Sequence, residues 1–155
     1  MTVHTFNGAG ETGIRLISLM EEFKNLFNGM QAGRIGPLGQ VYHPDIEFHD
    51  PFTVVVGLPA LQRYFDGAYR NVLSCRFQFG DLTYSGNTCY LPWTMTLCHK
   101  RLRRGDPIVV DGVSQIRTRD GLVIWHRDFF DASQLVYEHV PVLGAAVRWI
   151  RRHAG

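Results

Sequence analysis

Three cysteines in 155 residues are too few to organise this chain. Cys75, Cys89 and Cys98 are odd in number and form no C-x-x-C pair, so neither a disulfide framework nor a structural zinc site is expected, and a reducing compartment is the simpler setting. No window approaches the ~20 consecutive apolar residues that span a bilayer, and Met1 to Gly13 lack the basic and then apolar run of a signal peptide. A strong charge is missing too. Sixteen Lys and Arg against fourteen Asp and Glu leave +2, too near balance to argue for nucleic acid as a partner. There are no internal repeats and no low-complexity segments. What remains is an ordinary folded protein, expected in the cytoplasm, with no membrane partner. At 45% hydrophobic and 19% charged residues it is expected to form one domain around a single core.

The apolar pattern divides the chain. Ile14, Ile17, Met20, Phe23, Phe27 and Met30 recur at a helical period, with Glu21, Glu22 and Lys24 on the wet side. Gly29, Gly33, Gly36 and Gly39 break the next stretch, within which Pro37 starts a short helix running to Tyr42. Residues Ile46 to Asp50 alternate like a strand and stop at Pro51. A second helix opens at Pro59, its buried stripe formed by Leu61, Tyr64, Phe65, Ala68 and Val72. Four β-rich runs follow: Cys75 to Tyr84, Thr88 to Lys100, Ile108 to Thr118 and Leu122 to Asp131. The turn sequences Ser85-Gly86-Asn87, Arg103-Arg104-Gly105-Asp106 and Arg119-Asp120-Gly121 separate them and predict a four-stranded antiparallel meander. Pro141 then opens a terminal helix ending in Arg148, Arg151 and Arg152. This order calls for an α+β fold, with helices on one face of a bent antiparallel sheet. Two helices that cover such a face without filling it leave a cavity for a ligand.

Within the last strand, Trp125-His126-Arg127-Asp128-Phe129-Phe130-Asp131 carries the strongest chemical signal. Residues two apart in a strand point the same way, so His126 and Asp128 project together beside Ile124 and Phe130. A histidine and a carboxylate set among apolar neighbours mark a pocket.

The run Tyr42-His43-Pro44-Asp45-Ile46-Glu47-Phe48-His49-Asp50-Pro51, then Gly57 and a helix ending near Tyr69, then Ile124 to Asp131, resemble the nuclear transport factor 2-like superfamily and its SnoaL-like branch. The resemblance spans about Ile14 to Asp131. It implies a cone-shaped, cystatin-like fold for residues 1–155 as one SnoaL-like domain, with an internal pocket and frequent pairing into homodimers. The fold carries isomerases, hydrolases, polyketide cyclases and pure binding modules. Against ketosteroid isomerase, Asp50 matches the general base. The tyrosine and protonated aspartate that hold the oxyanion there have no clear equivalent: the first helix offers Phe23 and Phe27, and Ser114 stands where the aspartate would be. Against limonene epoxide hydrolase, Asp128 looks like the catalytic acid or base. Phe48 and Asp50 fall where a Tyr and an Asn position water, and Trp93 and Met95 replace an essential Arg and Asp.

These comparisons leave a composite site. An apolar surrounding of Phe48, Trp93 and Met95 would strengthen Asp50 as a base, suited to proton abstraction beside a carbonyl. His126 could pass a proton while Asp128 fixes its tautomer, and Ser114 could donate to a developing oxyanion. Asp50, His126 and Asp128 are thus the catalytic candidates, and Phe23, Phe27, Phe48, Trp93, Met95 and Ser114 the lining of a pocket for a small apolar organic molecule. No cofactor is implied. Plainer readings stand beside these: Asp50 before a proline can end its strand by bonding backbone amides, and His126 and Asp128 can be a self-satisfied buried pair. His-x-Asp is also two-thirds of a facial triad for non-haem iron, but no spacing names a third ligand, and no metal is expected. The basic runs Arg148 to His153 and Arg101 to Arg104 read as a solvated helix end and a charged hairpin tip.

Overall fold

The computed structural model describes residues 11–85, 87–135, 149–150 and 152–153. The first helix, α1 (Glu11–Gly29), buries Leu19, Met20, Phe23, Leu26 and Phe27. Ile14 and Ile17 do not share that stripe and are 57% and 43% exposed. At about 100° per residue, Ile14 lies half a turn and Ile17 a third of a turn from Phe23; a strict three-residue repeat drifts around the helix. The stretch after Pro37 forms a short 3-10 turn at Leu38–Gln40, and Tyr42 already belongs to the next strand.

That strand, β1 (Tyr42–His49), starts earlier than expected and ends before Asp50. A short strand, β2 (Val54–Val56), folds back on it. Helix α2 (Leu58–Tyr69) has Pro59 in its first turn and buries Leu61, Phe65 and Tyr69; Ala68, assigned to its stripe from sequence, is exposed, and Val72 opens the following strand. The expected run from Cys75 to Tyr84 is two strands, β3 (Val72–Phe79) and β4 (Thr83–Ser85). Between them Gly80 donates its N–H to the Pro92 carbonyl. Then come β5 (Thr88–His99), β6 (Ile108–Arg119) and β7 (Leu122–Phe130), and a single helical turn, α3 (Ala132–Leu135). Of the terminal helix expected from Pro141, residues 149–150 and 152–153 are helical; the remainder lies outside the described residues.

The seven strands form one sheet in the order β2-β1-β7-β6-β5-β3, with β4 also on β5. The meander β5-β6-β7 is antiparallel, as its turn sequences predict. The β1–β7 pair is parallel, because the chain crosses from one to the other through α2 and the meander rather than a hairpin. The result is the α+β architecture expected, a curved open sheet with helices on one face. Phe23, Phe27, Leu61 and Phe65 from the helices meet Ile46, Phe48, Leu91, Ile116 and Val123 from the sheet. A smaller cluster of Trp93, Ile108 and Val110, with Met95, Leu102, Phe130 and Leu135 against it, continues toward the β5–β6 turn.

Register decides what stands beside what. Arg117 pairs with Trp125 and Thr118 with Val123, so Ile124 is an extra residue in β7. This bulge shifts the parity: Val123, not Ile124, joins His126 on the covered face, and Val123 is 0% exposed. Opposite Trp93 lies Gly112. A Cβ there would stand 2.3 Å from two atoms of the indole ring, so glycine is what lets Trp93 lie across β6.

Replacing Gly112 with Ala therefore has to move Trp93 and is expected to destabilise the protein by ~1–3 kcal/mol. Gly67→Ala, inside α2 with open space at its Cβ, is expected to add ~0.5–1 kcal/mol through helix propensity. Thermal unfolding of the two variants beside the parent checks both signs.

Candidate functional site

Four neighbouring strands build the site. His126 on β7 lies between Phe48 of β1 and Ile116 of β6, and Asp128 pairs with Ser114. His126 is entirely buried, with the rings of Phe48, Phe23, Tyr42 and Phe27 centred 4.9, 5.2, 5.9 and 5.9 Å away. An imidazole in such a box needs partners for both nitrogens. Nδ1 meets the Tyr42 hydroxyl at 2.8 Å and Nε2 meets Asp128 Oδ1 at 2.7 Å. A carboxylate can accept but not donate, so Nε2 carries the hydrogen and Nδ1 accepts from Tyr42.

A second chain reaches the same oxygen. Trp93 Nε1 donates to Ser114 Oγ at 3.0 Å, and Ser114 donates to Asp128 Oδ1 at 2.5 Å. Tyr42 and His126 from one side, Trp93 and Ser114 from the other, thus both end on Oδ1. Among the described residues no hydrogen bond reaches Oδ2, and the Asp128 side chain keeps 15% of its surface in solvent. One oxygen is anchored and the other is open.

Asp50 is held differently. It sits just past β1, where Oδ1 accepts the backbone N–H groups of Phe52 at 2.8 Å and Thr53 at 2.9 Å, the arrangement of an Asx turn before β2. Its Oδ2 accepts a short hydrogen bond from the Tyr64 hydroxyl on α2. Phe52 leans on Phe130, ring centres 5.9 Å apart, which brings the Asp50 turn to the end of β7 that carries Asp128.

The electrostatics join the two carboxylates. Burial pushes the Tyr64 hydroxyl far above its ordinary range, and the hydrogen bond to Asp50 and the charges of Asp50 and then Asp128 add to it. Tyr42 is raised by its burial, then by Asp128 and Tyr69. Tyr69 is raised by burial, then by Cys75, whose thiol it touches, and by Asp128. Cys75 is itself pushed up by burial to about 11. Three tyrosines thus feel the charge of Asp128, and Tyr64 feels both acids.

Of the residues singled out from sequence, His126, Asp128, Ser114 and Trp93 form one bonded group, and Phe23, Phe27 and Phe48 wall His126. Met95 packs with Trp93 in the smaller cluster without bonding to that group. Asp50 reaches the site through Tyr64. Ser114 commits its hydrogen to Asp128 rather than holding it free. Tyr42 and Tyr64 escaped the sequence reading as site residues because one was read as the end of a short helix and the other as part of an amphipathic stripe. The signal was there, since a tyrosine on a buried stripe needs a partner for its hydroxyl. Cys75, Cys89 and Cys98 are free. Among the described residues no group of three or more His, Cys, Asp or Glu is placed to hold a metal ion, and no helix is long and apolar enough to cross a membrane.

A curved sheet with two helices over one face, and a His–Asp pair facing them, defines a nuclear transport factor 2-like protein. The model of the SnoaL-like domain matches residues 23–126, and the chain belongs to that family. Solved structures agree in fold. A candidate SnoaL-like polyketide cyclase from Jannaschia sp. CCS1 superposes with a TM-score of 0.73 at 14% identity, covering 86% of this chain and 97% of that one. A hypothetical protein with a ketosteroid isomerase-like fold from Catenulispora acidiphila DSM 44928, in complex with trimethylamine, gives 0.66 at 11% identity, covering 78% and 91%. TerC co-crystallised with polyporic acid gives 0.61 at 17% identity, covering 79% and 92%. No curated protein matches the sequence.

The raised tyrosine and thiol groups fix a sign for stability against pH. A group whose folded pKa exceeds its unfolded one contributes fully below the unfolded value and loses that contribution as pH rises through the folded one. Cys75 begins to do so above its ordinary 9.0, and Tyr42, Tyr64 and Tyr69 above 10.0. Unfolding free energy from urea titrations is expected to fall as pH rises beyond about 9, with a shallower fall in Tyr64→Phe.

Proposed function

We propose that this SnoaL-like protein is a cofactor-free acid–base enzyme acting on a small, largely apolar organic molecule, of the isomerase, cyclase or hydrolase kind. The observation that carries this reading is the asymmetry of Asp128. Its Oδ1 is fixed by Ser114 and His126, while Oδ2 has no hydrogen-bond partner among the described residues. An oriented carboxylate with one open oxygen, set among aromatic rings, is what proton abstraction from carbon requires. A proton taken by Oδ2 neutralises Asp128 without breaking either chain of donors. His126 keeps its Nε2 hydrogen on Oδ1, and Tyr42 keeps its own on Nδ1, so the carboxyl group stays oriented through the change of charge. Asp50 has both oxygens occupied, so its part is to hold Tyr64, whose hydroxyl donates to it. Phe23, Phe27, Phe48, Trp93 and Met95 supply apolar surface for the substrate. The cyclase description and the polyporic acid attached to structures of the same fold support a ring-forming or ring-bearing oxygenated substrate.

Deuterium exchange tests the reading without a known substrate. Cyclic ketones and aromatic 1,3-dicarbonyl compounds are incubated with the protein in D2O, and incorporation beside the carbonyl is followed by NMR. The parent protein is expected to accelerate exchange for at least one compound, and Asp128→Asn to lose ~100-fold or more of that acceleration. Asp50→Asn, which keeps acceptor and donor atoms near Tyr64, is expected to lose less. Equal exchange in parent and Asp128→Asn removes the mechanism.

One observation favours a second reading, a ligand-binding or dimerisation module. On the outer face of the sheet Trp125 Nε1 is buried without a hydrogen-bond partner, under Arg117 at 5.1 Å and beside His49 at 4.4 Å, with Phe129 exposed near it. A second copy laid on this face would cover the exposed Phe129 and the Arg127 that lies over it. Sedimentation velocity decides it: a dimer that Arg127→Glu dissociates places the contact on this face.

A further inference from the structure

The β5–β6 hairpin is longer than the strands beside it. At the level of Trp93 and Gly112, β6 pairs with Phe130, the last residue of β7; beyond that point β5 and β6 continue to His99 and Ile108 without β7, with β3 paired along β5 as far as Val72. Six further residues of β5 extend the arm by about 20 Å. Its tip lies beyond the end of β7 that carries Asp128.

The tip is basic. Lys100, Arg101, Arg103 and Arg104 are all exposed, and Arg70 joins them because the Asn71 carbonyl accepts the Lys100 N–H. Among the described residues none of these five cations is in an ion pair, and Asp106 is the one carboxylate on the turn. The tip therefore carries a surplus of four positive charges on a chain whose total is +2, so the rest of the molecule is net negative. Cations left to repel one another, with carboxylates available elsewhere on the chain, are not arranged for folding.

The turn also holds them in a fixed attitude. Arg103 and Arg104 have φ of 45° and 57°, a left-handed conformation that L-residues with long side chains rarely adopt. It is kept by the Gly105 and Asp106 N–H bonds to the Leu102 and Arg103 carbonyls, and by Arg103 Nη1 on the Pro107 carbonyl at 3.1 Å. Leu102 turns inward onto the smaller core cluster. The turn from Lys100 to Asp106 thus exposes no phenylalanine, tyrosine or tryptophan to stack on a base and no run of apolar side chains to enter a bilayer. Arginine forks are matched to carboxylates, singly or in pairs. Beside them Leu73, 56% exposed and packed toward Gly105, offers a small apolar rest.

We propose that the basic tip formed by Arg70, Lys100, Arg101, Arg103 and Arg104 is a docking site for an acidic segment of a partner protein, seated next to the open end of the fold. The inference stands independently of any chemistry at Asp128.

The test is binding of a fluorescein-labelled oligoglutamate peptide by anisotropy, at low and at high salt, with a single-stranded DNA oligonucleotide and phosphatidylserine vesicles as parallel probes. The intact protein is expected to bind the peptide at low salt in preference to both. Arg101→Glu/Arg103→Glu/Arg104→Glu is expected to weaken binding at least ~tenfold, while Arg117→Glu/Arg127→Glu on the outer sheet face leaves it unchanged. A milder pair, Lys100→Gln/Arg101→Gln, covers the case in which the triple reversal unfolds, and is expected to weaken binding in the same direction. No binding, equal loss in the outer-face variant, or preference for DNA or vesicles overturns the proposal.

Discussion

The site depends on a carboxylate drawn most of the way out of water. Asp128 stands at the end of a strand whose preceding inward residue, His126, is sealed among four rings. A charge in that position is tolerable only if donors meet it, and two chains of donors do. Each link then imposes a demand on the next. Asp128 orients Ser114 and His126; His126 fixes Tyr42; Ser114 takes the indole N–H of Trp93; and Trp93 can reach it only across a residue without a side chain, Gly112. Loss of one member strands the others as unpaired polar groups in an apolar surrounding, which is why the group is better understood as a unit than as separate contacts.

The same carboxylate organises the chemistry around it. Burial first, and its negative charge after it, raise Tyr42, Tyr64 and Tyr69 above their ordinary range. Each of their hydroxyls is bonded to a different neighbour: His126, Asp50 and Cys75. Asp50, by contrast, is spent on local structure: its first oxygen closes the turn into β2 and its second secures Tyr64. Two aspartates of similar appearance in the sequence hold opposite situations, one open and one closed.

Much of the fold was legible. Turn sequences with Gly and Asp marked the β5–β6 and β6–β7 hairpins, and Pro59 marked α2 within one residue. What was misread was misread for physical reasons. A three-residue repeat pulled Ile14 and Ile17 into a stripe that the helical period excludes. The short strand β2 was missed because three residues carry too little pattern to be seen, and the break at Gly80 because its cause, the Pro92 carbonyl, lies on another strand. In the site, His126 and Asp128 were visible because a polar pair at strand spacing among apolar residues is rare. Tyr42 and Tyr64 were not, since a tyrosine serves equally well as an apolar filler.

By itself the sequence determined most of the inward stripe of each helix, where the chain turns back, and that a histidine and an aspartate share one face, because these follow from periods of two and 3.6 residues along the chain. Tertiary structure decided the rest. The parallel β1–β7 pair puts Phe48 against His126, the bulge at Ile124 selects Val123 for the core, and the pairing of Trp93 with Gly112 sends the indole to Ser114. Which oxygen of Asp128 is bound and which is open depends on Ser114, on the neighbouring strand, as well as on His126. Such neighbours meet only when the sheet forms and its register is set.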